Sequence, residues 1–171
     1  TRFNESQVRA MGRTARGVRG INLAAGHKLI SLIVPKVAGR ILTVTEHGYG
    51  KRTENDEFPA KGRGGKGVIA MSTSDRNGSL VGAVQVWDGD EMMLISNQGT
   101  AVRTRVDEVS LLGRNTQGVR VIRTRDGEAL VSVSRIAEDD IETSTGTELD
   151  AGDSGPMVSS MAEDTATEGE E

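Results

Sequence analysis

The 171-residue chain is 35% hydrophobic, contains no cysteine and carries a net charge of −4, so it can build one modest domain but neither a disulfide framework nor a thiolate zinc site. Only 2% of its residues are aromatic, which argues against binding single strands by stacking bases on a row of rings, and no apolar run approaches the roughly 18 residues of a membrane span. All 21 Lys and Arg and 13 of the 25 acidic residues precede Ala137, so residues 1–136 carry +8 and residues 137–171 carry −12, a division typical of a nucleic-acid surface with an acidic competitor.

Short apolar and β-branched runs, separated by glycine turns, predict a series of β-strands. In chain order these strands are expected at 18–23, 29–34, 40–45, 68–71, 80–86, 92–96, 119–122 and 129–136. Each run stays apolar or alternates with polar residues, as buried or half-buried strands do. Turns are expected at Gly26, Gly48, Gly78, Gly99 and Gly127, and the dipeptides NG (77–78) and DG (126–127) are strong hairpin signals.

A glycine motif recurs along the chain. It reads GRTARGV at 12–18, GRGGKGV at 62–68 and GRNTQGV at 113–119, so its copies are 50 and 51 residues apart. The register extends ahead of each motif to Arg2, Arg52 and Arg103. Repeats of this length are typical of propeller-like arrays, and each full unit is expected to run strand, turn, strand, glycine loop, strand, turn, strand, which makes a four-stranded blade.

The predicted fold is therefore all-β, with about two and a half blades of four antiparallel strands at residues 1–136. The units are expected at about 1–37, 38–87 and 88–136, and the first unit lacks its first strand. Because a propeller normally needs four or more blades to close, we expect exposed blade faces that further blades or other copies would cover. Residues 137–171 have few large apolar residues and no sustained period, so this acidic tail is expected to be disordered.

The glycine loops are the candidate binding sites. Successive amides in such a loop can form an anion-binding concavity, and a neighbouring arginine offers a fork that fits phosphate. The predicted DNA-binding residues are Arg13, Lys61, Arg63, Lys66 and Arg114, with the loop glycines Gly12, Gly17, Gly62, Gly64, Gly65, Gly67, Gly113 and Gly118. Strand alternation turns some of Arg16, Arg19, Arg120 and Arg123 to other faces, so these rank lower. Alternatively, the glycines only supply positive φ in tight connections and the cations are solvated.

Several segments together resemble a known family. The runs VRTRVDEVSLLGRNTQGVRVIRT (102–124), RAMGRTARGVRGI (9–21) and GYGKRT (48–53) are similar to the C-terminal DNA-wrapping domain of bacterial DNA gyrase A, over about residues 1–136. The resemblance implies a β-pinwheel whose basic rim wraps double-stranded DNA. It further implies, as partners, the remainder of gyrase A and the ATPase component, gyrase B, in a type II topoisomerase of the bacterial cytoplasm and nucleoid. That holoenzyme would use ATP and Mg²⁺ for negative supercoiling, with no cofactor in this chain.

One departure from the family concerns its gyrase A box, Gln-Arg-Arg-Gly-Gly-Lys-Gly in one common form. Residues 63–67 match the last five positions, but Lys61 and Gly62 stand where Gln and Arg are expected. The resemblance thus implies that the complete box belongs to an earlier unit.

No catalytic or metal-binding residue is predicted in the chain. The run GDSGP (152–156) is similar to the nucleophile segment of trypsin-like proteases but lacks one glycine and lies in the predicted tail. His27 and His47 lack metal-ligand spacing, and Tyr49, the only tyrosine, is interpreted as structural or exposed. Two alternative functions stay open, namely the equivalent C-terminal domain of topoisomerase IV and a protein-binding propeller whose basic rim meets an acidic partner.

Overall fold

The computed structural model describes residues 1–138. The predicted acidic tail at 137–171 therefore lies outside the described residues, apart from its first two. Within the described part, the regular structure consists of seven β-strands and three short 3-10 helices, so the all-β prediction is confirmed. None of the helices in this part is long and apolar enough to cross a bilayer.

The seven strands come from the second and third units. Strands β1 (Arg40–Thr45), β2 (Tyr49–Glu54) and β3 (Leu80–Val86) belong to the second unit. The third unit contributes β4 (Glu91–Ser96), β5 (Ala101–Arg105), β6 (Val119–Arg120) and β7 (Leu130–Ile136). The 3-10 helices, Glu5–Gln7, Asn55–Glu57 and Val106–Glu108, recur once in each unit. The strands predicted at 40–45, 80–86, 92–96 and 129–136 are confirmed to within about one residue.

The antiparallel sheets exchange a strand between units. One sheet has the order β3-β1-β2-β6 and the other has the order β5-β4-β7. The outer strand β6 thus belongs to the third unit but pairs with the second, where Tyr49 faces Arg120 and Gly50 faces Val119. The prediction that each unit holds all four strands of its own blade is wrong in this respect. The segment after the glycine loop pairs with the outer edge of β2 in the preceding unit, where Arg52 also forms an isolated bridge with Leu111.

Three predicted strands, at 18–23, 29–34 and 68–71, do not form strands. The cause is the same in each case. By the repeat register, 18–23 and 68–71 occupy the place of β6, and 29–34 occupies the place of β3. The partner of 18–23 and of 68–71 would be the counterpart of β2 in the unit before each of them, and the partner of 29–34 would be the counterpart of β1 in the first unit itself. Residues 1–138 contain no complete copy of any of these counterparts. Without a neighbouring strand to exchange hydrogen bonds, these extended segments form no ladder.

The segment 29–37 lies along β3 and leaves apolar side chains in solvent. The Gln85 side chain accepts from the Lys36 amide at 2.7 Å and donates to the Lys36 carbonyl at 2.8 Å. The most exposed large apolar side chains are here, at 85%, 77% and 93%: Leu32, Val34 and Val37. The expected exposure of an incomplete blade is therefore confirmed.

The hydrophobic core lies between the two sheets. Its fully buried side chains are Leu42, Val44, Val86, Met92, Leu94, Val106, Val109 and Leu130. The sheets approach closely where Gly82 of β3 meets Val133 of β7, since a Cβ at residue 82 would lie 2.6 Å from Val133 Cγ1. The two strands pack at this distance only because residue 82 has no side chain. The second sheet packs against β3, whereas β6 lies at the opposite edge of the first sheet. The core therefore does not cover β6 or the glycine loop that precedes it.

Candidate nucleic-acid interface

The glycine loop of the third unit, residues 113–118, packs on one face of β2. Because side chains alternate along a strand, Tyr49, Lys51 and Thr53 share this face, and all three are buried. Thr53 Oγ1 donates to the Leu112 carbonyl at 3.0 Å, just before the loop. The second unit thus supports the third glycine loop from the β2 side.

Lys51 is fully buried and donates to the loop from its Nζ. Its acceptors are the carbonyl of Gly113 at 2.8 Å, the carbonyl of Arg114, and the carbonyl and hydroxyl of Thr116 at 3.3 and 3.1 Å. Burial is the main cause that lowers the pKa of Lys51 to about 8, opposed by the nearby charge of Glu57 and reinforced by Arg114. One ammonium group bound to three carbonyls holds this loop in a single conformation.

The loop amides remain available, in contrast to its carbonyls. Among the described residues, the backbone N–H groups of Asn115, Thr116 and Gln117 have no hydrogen-bond acceptor. Consecutive free amides in a glycine-rich loop are groups that can hold an anion. The feature on which the anion-binding prediction depends is therefore present in the third unit.

Arg114 reaches back from the loop into the second unit. Its amide donates to Glu57 Oε2 at 2.7 Å, its Nε to the Glu57 carbonyl at 3.2 Å and its Nη1 to the Ile69 carbonyl at 2.5 Å. The guanidinium group therefore uses two of its nitrogens on backbone carbonyls of the neighbouring unit. We call an arginine bound in this way an interunit brace.

Arg63 repeats this arrangement one unit earlier. Its amide donates to Gln7 Oε1 at 2.8 Å, its Nε to the Gln7 carbonyl at 3.1 Å and its Nη1 to the Arg19 carbonyl at 2.6 Å. Arg63 and Arg114 thus have a structural role that sequence analysis does not assign to them. Their predicted contact with DNA stays a prediction, and among their guanidinium nitrogens Nη2 has no partner within the described residues.

A second pair of arginines braces the same junctions in the opposite direction. Arg2 Nη1 donates to the carbonyls of Asn55 and Phe58, at 2.8 and 3.1 Å. At the next junction, Arg52 Nε donates to the Val109 carbonyl at 2.7 Å. Each junction between units is therefore fastened by one arginine from either side.

The other predicted cations are exposed. Arg13, Lys61 and Lys66 lie on the first and second glycine loops, and no described residue forms a side-chain hydrogen bond or ion pair with any of them. Their contact with DNA stays a prediction. Lys61 and Lys66, unlike the interunit braces, need not leave a protein partner in order to bind a phosphate. Arg13 has the loop register of Arg63 and Arg114, whose acceptors belong to the preceding unit.

The predicted loop glycines divide by backbone conformation. Four have a positive φ between 76° and 81°: Gly17, Gly64, Gly67 and Gly118. Gly118 also needs the space, because a Cβ there would lie 2.7 Å from the Gly50 carbonyl oxygen. The remaining glycines, Gly12, Gly62, Gly65 and Gly113, lack a positive φ, and nothing lies within 4 Å of a Cβ at Gly12 or Gly62. At these two positions the backbone is open to the approach of another molecule.

Tyr49, Arg76 and Arg120 form a cationic cluster beside the third glycine loop. Arg76 Nε and Arg120 Nη2 donate to the Tyr49 hydroxyl at 3.2 and 2.9 Å, and both guanidinium carbons lie 5.2 Å from the ring centroid. The hydrogen bond from Arg120, followed by that from Arg76, lowers the pKa of Tyr49. From the sequence, Arg120 ranks low and Arg76 is not a candidate, since the pairing of β2 with β6 brings Arg120 to Tyr49 and the turn before β3 brings Arg76. Tyr49 is 3% exposed, in line with its structural interpretation.

No metal site is found in the described part of the chain. Within it, no three or more His, Cys, Asp and Glu side chains are placed to hold an ion. His27 is exposed, and His47 Nδ1 lies 3.3 Å from the Arg76 carbonyl. The predicted absence of catalytic residues stays a prediction.

The chain is similar to known proteins over nearly all of its described part. The family described as "DNA gyrase C-terminal domain, beta-propeller" matches residues 2–36, 39–86 and 90–137. The A subunit of DNA gyrase from Pseudomonas aeruginosa is 60% identical over 137 residues, which cover 80% of this chain. The A subunit of DNA gyrase from Escherichia coli (strain K12) is 53% identical over 156 residues, which cover 89% of this chain. The chain spans only 15% and 18% of the lengths of these two relatives.

Two solved structures share the fold. A DNA gyrase A C-terminal domain matches with a TM-score of 0.73 at 32% identity, over 79% of this chain and 46% of that one. A C-terminal domain of DNA topoisomerase IV matches with a TM-score of 0.75 at 23% identity, over 84% and 46%. The likeness to topoisomerase IV therefore concerns the fold, whereas the likeness to gyrase extends to the sequence.

Proposed function

The chain belongs to the family of DNA gyrase C-terminal β-propeller domains, and on this basis we propose that it binds a duplex DNA segment along its glycine loops and bends it. The observation that carries the proposal is the set of unpaired cations on those loops. Arg13, Lys61 and Lys66 are exposed and meet no acidic side chain among the described residues. Lys61 and Lys66, which lie outside the register of the interunit braces, are in this way free to bind phosphate.

The ion pairs of residues 1–138 lie elsewhere. They join arginines of the strands to acidic side chains of strands, turns and one 3-10 helix, namely Arg40, Arg52, Arg103, Arg105 and Arg135 with Glu54, Asp88, Asp90, Glu91 and Asp107. The acidic side chains that pair with arginines in this part of the chain therefore neutralise cations of the strands, and the glycine-loop cations keep their charge for a ligand.

Contacts of this kind would position the DNA backbone without reading its bases. Each neutralised phosphate releases counterions, so the logarithm of the binding constant falls with the logarithm of salt concentration by about 0.9 per contact. Bending a short site by about 40–90° costs on the order of 1–6 kcal/mol. Several charged contacts, spaced one unit apart, would offset that cost.

In the longer protein, we propose that this chain serves the A component of a type II topoisomerase. The rest of that component would break and rejoin DNA, and the ATPase component, gyrase B, would hydrolyse ATP with Mg²⁺, in the bacterial cytoplasm at the nucleoid. An earlier unit would carry the complete box. The acidic residues of 137–171 would compete with DNA for the cationic loops.

The proposal is tested with the full-length protein that carries this chain and a version from which residues 1–171 have been removed. Duplex binding is measured by gel shift across a salt series, and wrapping by the linking number of nicked plasmid that is sealed with protein bound. We expect the full-length protein to bind more tightly, with a steeper salt dependence, and to change the linking number. Equal salt slopes and equal linking numbers would reject backbone wrapping by this chain.

A parallel measurement separates DNA binding from the protein-binding alternative. Heparin, a polyanion without duplex geometry, should compete with DNA for the loops but leave no linking-number change. If the chain bound an acidic protein instead, its removal would not alter duplex affinity.

A further inference from the structure

We propose that Tyr49, Arg76 and Arg120 together form a second kind of phosphate site, which binds one backbone phosphate of duplex DNA at the junction of the second and third units. This inference rests on the proposed function, since it names a contact that the glycine-loop repeat does not predict. The site is built from three side chains of two different units.

The first reason is the hydrogen bonding of the tyrosine. Its hydroxyl accepts from Arg76 Nε at 3.2 Å and from Arg120 Nη2 at 2.9 Å. A phenol has in addition one O–H donor. Tyr49 is buried, with an exposure of 3%, and no acceptor for that proton exists among the described residues. Besides the two bonds that it accepts, the hydroxyl thus has one unused O–H that an anionic oxygen could bind.

The second reason is the uncompensated charge. Two guanidinium groups share one phenol ring, each 5.2 Å from its centroid, and neither belongs to an ion pair within residues 1–138. Two like charges brought this close repel each other. A phosphate between them would remove that repulsion and could accept from both.

The third reason is the number of unused donors. Arg76 uses only Nε and Arg120 only Nη2 on the phenol, so the remaining guanidinium nitrogens of both side chains have no partner in the described part. Both residues are exposed. Tyr49 orients both guanidinium groups through its hydroxyl. A guanidinium group that is held in one orientation matches the geometry of phosphate oxygens.

The location places this site next to the third glycine loop. Arg120 follows Gly118 by two residues and lies on β6, the outer strand of its sheet. Arg76 lies in the turn before β3, where Asn77 Nδ2 donates to the Gln117 carbonyl of the same loop at 3.2 Å. A phosphate held here would therefore bridge two units, and a duplex on the loop would pass the site.

The repeat register shows that this site is not copied. Alignment on the turn glycines puts Ala24 and Arg125 in the place of Arg76, and alignment on the glycine loops puts Ile69 in the place of Arg120. The tyrosine itself is unique in the chain. Among the described units, only the junction between the second and third supplies all three groups, so the phosphate contacts would be denser there than the repeat implies.

The test uses the full-length protein, a short duplex as probe and three variants. The variant R76Q/R120Q removes both guanidinium groups, Y49F removes only the phenol donor, and K36Q is a control that removes one exposed positive charge away from the site. Lys36 is exposed and bonds through its backbone to Gln85 of β3, at the opposite edge of the sheet from β6. Gel-shift affinities are measured across a salt series, and the melting temperature of each variant is recorded.

We expect R76Q/R120Q to bind about tenfold more weakly and to lose about 0.9 from the salt slope, which is the loss of one phosphate contact. Y49F should weaken binding about threefold with a smaller change of slope, because the forks remain but lose their orientation. K36Q should match the wild type. Binding of inorganic phosphate that is lost in R76Q/R120Q, while the duplex affinity and salt slope of that variant stay at the wild-type values, would overturn the assignment to DNA.

Two outcomes separate the inference from the function on which it rests. If the wild type binds duplex with a steep salt slope and R76Q/R120Q behaves as K36Q does, this site is wrong and the proposed function stands. If removal of the whole chain leaves duplex binding unchanged, both are wrong. Should R76Q/R120Q fail to fold, the single variant R76Q decides, since Arg76 lies in an exposed turn and its loss leaves the bond from Arg120 to Tyr49 intact.

Discussion

Arg114 and Glu57 are joined twice across the junction of two units, once through the Glu57 carboxylate at 2.7 Å and once through its carbonyl at 3.2 Å. Arg63 and Gln7 repeat this relationship at 2.8 and 3.1 Å. The acceptor side chain changes from carboxylate to amide, yet the geometry is kept. The repeated loop arginine therefore fastens the second unit to the first and the third unit to the second.

Substitution of Arg114 should reduce the stability of the fold. R114A removes the two guanidinium bonds, and R114K keeps the charge but lacks the fork that reaches both carbonyls. We expect both variants to lower the free energy of unfolding by about 1–3 kcal/mol, as measured by chemical denaturation. If R114K were as stable as the wild type while R114A lost only DNA affinity, the arginine would be a phosphate ligand and not an interunit brace.

Replacement of Lys51 tests the support of the third glycine loop. K51M keeps the apolar stem but leaves the carbonyls of Gly113, Arg114 and Thr116 without their donor. We expect a loss of about 1–3 kcal/mol in the free energy of unfolding at neutral pH. We also expect faster amide hydrogen exchange at 115–117, because the loop is no longer held.

The same lysine predicts a dependence of stability on alkaline pH. Its pKa is about 8 in the folded state and 10.5 in the reference state, so between these values the unfolded chain binds more protons. The free energy of unfolding should therefore rise between about pH 8 and pH 10.5. K51M should lack this rise, and an identical pH profile for the two proteins would contradict the burial of the charged amine.

Glu128 predicts a contribution to stability that acid removes. Hydrogen bonds from Ser96, from Thr100 and from the Arg125 amide lower its pKa from 4.5 to about 2, with the Ser96 bond the largest cause. Because the folded pKa lies below the unfolded value, this contribution is complete above about pH 4.5 and is lost as the pH falls towards 2. E128Q cannot accept from the Arg125 amide in the same way, so it should be less stable at neutral pH. The difference from the wild type should shrink over that acid range in denaturation curves.

Removal of the exposed loop lysines should affect DNA binding alone. Lys61 and Lys66 have no side-chain partner among the described residues, so K61Q/K66Q should keep its melting temperature. If both bind phosphates, the salt slope should fall by about 1.8 in all. A lowered melting temperature without a change of slope would show that the lysines serve the fold instead.

Patterns local to the sequence predicted the strands that pair within one unit. β1, β3, β4 and β7 show apolar runs or alternation between turn glycines, and each is found where these patterns place it. The segment 68–71 has the same local pattern but forms no strand. Local pattern reports the tendency to be extended and half-buried, whereas a strand also needs a partner, which this segment lacks within the described residues.

The candidate site was predictable only in part, and for a related reason. Glycine spacing identified the loops, and an arginine in each loop register was recognised as important. The acceptors of Arg114 include the Ile69 carbonyl, 45 residues away, and a carbonyl belongs to every residue type. No sequence pattern therefore identifies the residue whose carbonyl will accept a hydrogen bond from a loop arginine.

Hydrophobic periodicity, turn residues and charge are properties of short stretches of the sequence. They were enough to predict an all-β repeat of about 50 residues, with the cations in one part of the chain and a block of acidic residues in another. They could not predict that β6 completes the sheet of the preceding unit, that Lys51 is buried beneath a glycine loop, or that Tyr49 gathers Arg76 and Arg120. Each of these depends on which backbone groups and side chains meet across a junction. Hydrogen bonding and burial between segments far apart in the chain determine those meetings, so they follow from the folded arrangement and from no local pattern.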